Sequence, residues 1–311
     1  MFPSRPVTLL VAAAVALAAT PLPAQRATTP AKKVPPLVYD RVILGGRVVD
    51  PSSKLDEVRN VGISGGRIAI LTPAAIRGRD TIDAKGLVVA PGFIDLHSHA
   101  QTAEGYRAQA LDGVTTSLEL ELGTADVDKW YAERRPSQLI NYGVSAGHIK
   151  ARTVVMHDTG AFTPVGPGAR TPASATEVSD MMGLIDAGLR AGAVAVGAGF
   201  TYTPGATHDE LLELFKVAAR WKTTVHVHIR SGMAGLNEVL ALQRETKAPL
   251  HIVHLNSAAL AETPQVLKAL AASRAKREDV TTEAYPYAAG MTDIASATIQ
   301  DRKSTRLNSS H

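Results

Sequence analysis

The chain has 311 residues, 45% of them hydrophobic and 20% charged. That is the composition of a globular protein with a sizeable core, not of a disordered or low-complexity chain. Arg5 and the two-charge excess of residues 301–311 supply three of the four net positive charges; the remainder is near neutral and has no basic stripe interleaved with aromatics, so no nucleic-acid partner is expected. There is no cysteine, which excludes disulfides and thiolate metal sites and leaves histidine and carboxylate as ligands.

Residues 1–24 read as a secretory signal. Arg5 supplies a positive start, residues 7–19 an apolar run, and Leu22-Pro23-Ala24 a small-residue cleavage site. The run is short for a membrane span, so the expected protein is exported, periplasmic or secreted, with no stable membrane anchor. Residues 25–38, rich in Thr, Pro and Lys, form a linker.

Residues 39–90 carry a β pattern. Short apolar runs (Val42-Ile43-Leu44, Val48-Val49, Val61-Gly62-Ile63, Ile68-Ala69-Ile70 and Leu87-Val88-Val89) are punctuated by Gly45-Gly46 and Gly65-Gly66, which predicts a small antiparallel β-sandwich. Over residues 91–300 the rhythm changes. Strand-like segments at 92–97, 115–121, 140–146, 193–198, 223–229, 250–254 and 280–285 alternate with helical stretches such as 177–191, 209–221 and 263–275. This alternation predicts an α/β fold with a parallel sheet. Seven strands fall one short of a (β/α)8 TIM-type barrel, so a barrel lacking its last strand is expected. Residues 301–311 match the in-frame translation of a common sequencing adapter and are expected to be foreign to the protein.

The strongest chemical signal is Pro91-Gly92-Phe93-Ile94-Asp95-Leu96-His97-Ser98-His99. An apolar strand ends in two histidines at i and i+2, whose side chains project to one side. Both imidazoles can then reach one metal ion at the C-terminal mouth of a parallel barrel, where active sites collect.

With the β-rich segment before it, this motif resembles the amidohydrolase superfamily. The stretches DGVTTSLELELG, GAVAVGAGFTYTPGATHDEL, VHVHIR, PLHIVHLNS and DVTTEAYPYAAG are similar to its N-acyl-D-amino-acid deacylase (D-aminoacylase) branch, and most of all to D-glutamate deacylases. The resemblance spans residues 39–300. It implies strand-end ligands converging on one or two divalent metals, Zn²⁺ first, with Mn²⁺, Fe²⁺ or Co²⁺ also suited to a His/carboxylate set.

In that reading His97 and His99 are the first ligand pair. Glu121 replaces the Cys many D-aminoacylases place on the second strand, and Glu119 is either a further ligand or a partner behind the ligands. His228 matches the family's H-I-R pattern, with His226 one pleat deeper as a metal or supporting residue. His254 matches the sixth-strand ligand. His251, three residues earlier, points to the opposite face of a strand and is structural.

The expected substrate contacts are Arg230, Asn256, Tyr285, Tyr287 and Tyr202. Arg230 is either a clamp for a carboxylate or a loop salt bridge. Asn256 stands where the branch usually carries Lys. Tyr285 or Tyr287, in the acidic-x-Tyr-Pro-Tyr signature begun by Glu283, could donate a hydrogen bond to substrate or oxyanion or simply line the barrel lip. Tyr202 lies in the glycine-rich stretch after the fourth strand.

The implied activity is metal-dependent hydrolysis of N-acyl-D-amino acids, with acidic ones such as N-acyl-D-glutamate favoured by Arg230. Family members also use a carboxylate ending an eighth strand for proton transfer. No residue here is assignable to it, so these 311 residues by themselves are expected to be inactive. Two other readings stay open. One is a cyclic-amide or dipeptide hydrolase, for whose carboxylated Lys only Lys150 is a rival. The other is a metal-free scaffold, which the set of four histidines disfavours.

Overall fold

The computed structural model describes residues 38–135, 138–297 and 299. The expected signal segment, nearly all of the linker and the 301–311 tail lie outside the described residues. Two units divide at Ala90/Pro91.

The first unit is one sheet of five strands: β1 (Val38–Asp50), β2 (Leu55–Ser64), β3 (Arg67–Thr72), β4 (Arg77–Asp83) and β5 (Val88–Val89). Its order is β3-β2-β1-β4, with β5 also paired to β1. The β1–β2–β3 part is antiparallel as expected. Its β2–β3 turn places Gly65 and Gly66 at φ 57° and 72°, the positive values a two-residue hairpin requires.

Two expectations need correction. Gly45-Gly46 is no turn: β1 runs straight through it, and the register with β2 slips between Ile43 and Gly46 as a β-bulge. The sheet is also mixed, since β4 and β5 pair parallel to β1. The sequence of β4, Arg-Gly-Arg-Asp-Thr-Ile-Asp, is too polar to show a strand period. Among the described residues all five strands are linked by hydrogen bonds into one sheet.

The second unit is a parallel βα array. Its elements in chain order are β6 (Phe93–Asp95), α1 (Ala103–Leu111), β7 (Val114–Thr124), α2 (Val127–Ala132), β8 (Asn141–Gly147), α3 (His148–Val155), α4 (Pro167–Arg170), α5 (Ala175–Arg190), β9 (Val196–Gly199) and α6 (His208–Trp221). They continue with β10 (Val225–His228), α7 (Gly232–Thr246), β11 (Leu250–Ile252), α8 (Leu255–Ala259), α9 (Thr263–Ala275) and β12 (Val280–Thr282). All seven strands read from the sequence are present, in the sequential order β12-β11-β10-β9-β8-β7-β6. The sheet curls, bringing the residues that follow its two edge strands, β6 and β12, into hydrogen-bonding contact.

The core lies between this sheet and its helices. Met181, Ile185 and Leu189 of α5, and Leu211, Leu214, Phe215 and Ala218 of α6, present helical-period apolar stripes to the core. In β10, Val225 and Val227 join the same core, so the alternating His226 and His228 face the other side. Ser174 and Glu177 form a complete capping box at the start of α5. The strands pack closely enough that a Cβ at Gly197 would lie 2.3 Å from Ser145 Oγ and 2.5 Å from the Glu121 carbonyl. Among the described residues no helix is long and apolar enough to cross a membrane.

Candidate metal centre

Beyond β6, the Asp95 carboxylate accepts the His97 backbone N–H at 3.0 Å and the Gln109 side-chain amide at 3.1 Å. These bonds fix the turn from which His97 and His99 emerge, their ring centres 5.0 Å apart. On β7 the alternating Glu119 and Glu121 share a face. His228 is the last residue of β10. His254 lies two residues past β11 and caps α8 in a left-handed conformation, φ 30° and ψ 55°.

The Glu121 carboxylate, only 2% exposed, is the hub. Its Oε2 lies 2.9 Å from His97 Nε2 and 3.3 Å from His99 Nε2. Its Oε1 lies 2.8 Å from His228 Nδ1 and 3.7 Å from His254 Nε2. The outward nitrogens of three of these rings have partners of their own. His97 Nδ1 meets Glu283 Oε1 at 2.5 Å, His99 Nδ1 meets Glu119 Oε2 at 2.6 Å, and His254 Nδ1 meets Ser257 Oγ at 3.0 Å. Such outer contacts set tautomer and ring orientation. They turn three Nε2 atoms inward, whereas His228 presents Nδ1.

The donor set fits a divalent cation. Ligand atoms of His97, Glu121 and His254 lie within 4.8 Å of one another. His97 Nε2 and His99 Nε2 face each other at 3.3 Å, close enough for both to reach one cation. The site's appetite for positive charge points the same way. Burial would lower both histidine pKa values, but hydrogen bonds donated to the Glu121 and Glu283 carboxylates raise His97 to about 10. Glu119 and Glu121 likewise raise His99 to about 9. Burial would raise Glu121, but the surrounding imidazoles, His228 foremost, hold it well below the usual carboxylate range. Borderline imidazole nitrogens with carboxylate oxygen suit Zn²⁺ and its neighbours in the first transition row.

The remaining expected residues are placed variously. Tyr202 is buried, with its ring centre 5.0 Å from that of His228. Burial and the Glu121 charge lift its phenol to about 12, so it is protonated at neutral pH. Tyr285 stacks at the edge of the site, 6.3 Å from the His254 ring, while Tyr287 stands further out and is 74% exposed. His226 lies deeper, 4.6 Å from the His251 ring, and burial lowers its pKa to about 3. It is a neutral imidazole outside the ring around Glu121.

Three of the remaining residues have partners within the chain. Arg230 does not offer a free guanidinium. Its Nε donates to Glu238 at 3.1 Å and its Nη atoms to the carbonyls of Phe200, Thr203 and Ala206, which fastens the β9–α6 loop. Asn256 donates to the Tyr285 carbonyl at 3.2 Å, strapping α8 to the segment after β12. Strand parity fails for His251, because β11 ends at Ile252 and the backbone then turns. His251 therefore reaches the same neighbourhood as His254 through Glu283, at 3.2 Å. Lys150 donates to the carbonyls of Ala161 and Phe162.

Sequence reasoning missed Glu283, Ser257 and Phe162. Glu283 was visible only as the acidic residue opening the Tyr-Pro-Tyr signature. Ser257 could have been sought one helical turn after His254. Phe162, edge-on to His99 at 5.4 Å, sits in a loop with no local signal.

Comparison with known proteins agrees with this geometry. A profile described as the Amidohydrolase family matches residues 80–139. The chain is 28% identical to a D-aminoacylase of Alcaligenes xylosoxydans xylosoxydans over 82% of its own length and 58% of the relative's. It is 30% identical to an N-acyl-D-glutamate deacylase of the same organism, over 80% of this chain and 57% of that one. A crystal structure of N-acyl-D-glutamate deacylase from Bordetella bronchiseptica, complexed with zinc and a phosphonate inhibitor, superposes with a TM-score of 0.67 at 27% identity, covering 81% of this chain and 59% of that chain. The chain thus spans a little under three fifths of the length of these relatives. Fold, ligand-rich strand ends and sequence matches point the same way: residues 80–139 match the Amidohydrolase family profile, and the chain is similar to D-aminoacylases and N-acyl-D-glutamate deacylases.

Proposed function

We propose that the whole protein is a metal-dependent hydrolase of the amide bond of N-acyl-D-amino acids, with His97, His99, Glu121, His228 and His254 holding one or two divalent ions, zinc first. The observation that carries this reading is the convergence of four imidazoles on one buried carboxylate. A divalent ion there, when bound, lowers the pKa of water and polarises an amide carbonyl.

The chain's own groups do the rest. Glu121 brings the negative charge that a cation needs in a buried pocket. Glu119 and Glu283 hold the rings of His99 and His97 in place. The protonated Tyr202 phenol is a hydrogen-bond donor beside His228, and Tyr285 walls the site next to His254. With Arg230 committed to its loop, a preference for acidic side chains no longer rests on that residue. The protein acts on small molecules, and residues 1–24 direct it to export.

The test has two parts. Metal analysis of the purified protein should find zinc or a neighbour in stoichiometric amount, and Glu121→Ala should lose it. Deacetylation should proceed on N-acetyl-D-glutamate or N-acetyl-D-leucine and stop with a chelator. Turnover of the L-forms alone, or activity indifferent to chelation, would sink the proposal.

A further inference from the structure

Glu283, which follows β12, touches residues at the ends of both β6 and β11, and it is not among the metal ligands assigned above. Its Oε1 lies 2.5 Å from His97 Nδ1 and accepts the His254 backbone N–H at 3.3 Å. Its Oε2 lies 3.2 Å from His251 Nε2, and His251 Nδ1 is in turn 2.8 Å from Thr281 Oγ1. The Glu283 main chain grips the same turn from both sides. Its carbonyl accepts Leu255 N–H at 2.9 Å and its N–H donates to the Ile252 carbonyl at 3.3 Å. His254 between these two points is held left-handed, at φ 30°, a conformation that a non-glycine residue rarely adopts.

We propose that Glu283 is a positioning residue of the metal centre, with His251 as its anchor. Resting on the function proposed above, this assigns Glu283 two simultaneous tasks. By accepting Nδ1–H of His97 it leaves Nε2, the nitrogen beside Glu121, as the one that would ligate a metal. By holding His254 N–H it stabilises the left-handed turn that swings that imidazole toward the same point. A carboxylate suits both tasks, because its two oxygens accept several hydrogen bonds and its charge strengthens each of them. His251, sandwiched between Thr281 and Glu283, keeps the carboxylate from rotating away. His97 follows β6 and His254 follows β11, next to β12, so Glu283 also links the two edges of the curled sheet at its mouth.

The test measures metal binding, not turnover. Zinc affinity of the whole protein and of Glu283→Gln and Glu283→Asp is read by competition with a chromophoric chelator, the visible spectrum of the cobalt-substituted protein is recorded, and each metal-free form is melted. Loss of a carboxylate behind a ligating histidine costs on the order of 10- to 100-fold in metal affinity. The expected result is a loss of that size in Glu283→Gln, a shifted cobalt band, and partial recovery of both in Glu283→Asp, which retains the charge. A purely structural residue would lower the melting temperature and leave the cobalt band of the folded protein unchanged. Should Glu283→Gln not fold, His251→Phe leaves Glu283 in place without its anchor and should still weaken zinc by about 10-fold, the low end of the same range. Wild-type affinity and an unshifted cobalt band in the folded variants would overturn the assignment of Glu283 alone. Absence of any bound metal in the wild-type protein would overturn the proposed function and this inference with it.

Discussion

Arg152, Glu210 and His148 form a fully buried ionic cluster away from the metal centre. The side chains of Arg152 and Glu210 have zero exposure, as does that of His148. Arg152 Nη1 donates to both Glu210 oxygens at 2.6 and 2.5 Å, and His148 lies 2.7 Å from the same carboxylate. The remaining Arg152 nitrogens donate to the carbonyls of Gly168 and Thr171. Replacing Glu210 by Ala leaves the guanidinium with two carbonyl acceptors but without the carboxylate that it bonds directly. Breaking a buried pair in this way costs about 3–5 kcal/mol. For a unit of this size each kcal/mol moves the melting temperature by about 2–4 °C, so a fall on the order of 10 °C is expected by calorimetry.

The pH dependence checks the cause. Burial would raise the Glu210 pKa, but His148 and Arg152 outweigh it and hold it below the ordinary value of 4.5. A group depressed on folding contributes its stability above the unfolded value and loses it as pH falls through the folded one. The gap between wild type and Glu210→Ala should therefore be full at neutral pH and narrow below about 4.5. A cost under about 1 kcal/mol at pH 7, or a gap that widens in acid, would refute the reasoning.

Two further outcomes follow from the packing. Gly197→Ala would press a methyl group onto the Glu121 carbonyl and Ser145, both held by the sheet, and should cost about 1–3 kcal/mol while disturbing Glu121; unchanged denaturant unfolding would contradict this. Arg230→Ala should release the loop carrying Tyr202, seen as faster amide exchange at residues 200–206 and about 1–3 kcal/mol of lost stability. A raised KM with unaltered exchange would instead return Arg230 to the role of substrate clamp.

Much of this was legible in the chain itself. Seven parallel strands appeared at their places because short strand-like runs alternate with longer helical stretches, a pattern that survives without tertiary context. Glu119 and Glu121 were paired by i, i+2 parity on β7, whereas His97 and His99 meet from the turn beyond β6, which ends at Asp95. The first unit was less legible. The polar β4 gains its place from pairing with β1, and Gly45-Gly46 carries the same letters in a bulge as in a turn.

At the centre, sequence determined which residues could ligate and tertiary structure decided what each one does. Parity assigned His251 and His254 to opposite faces, but Glu283 holds the chain in a left-handed turn after Ile252, and parity has no meaning beyond the end of a strand. Arg230 had donors enough for a substrate, and three loop carbonyls with Glu238 took them. Both outcomes have one physical reason. Local pattern records the period of the backbone, whereas hydrogen-bond partners more than twenty residues away are fixed only when the sheet has curled and brought its strand ends together.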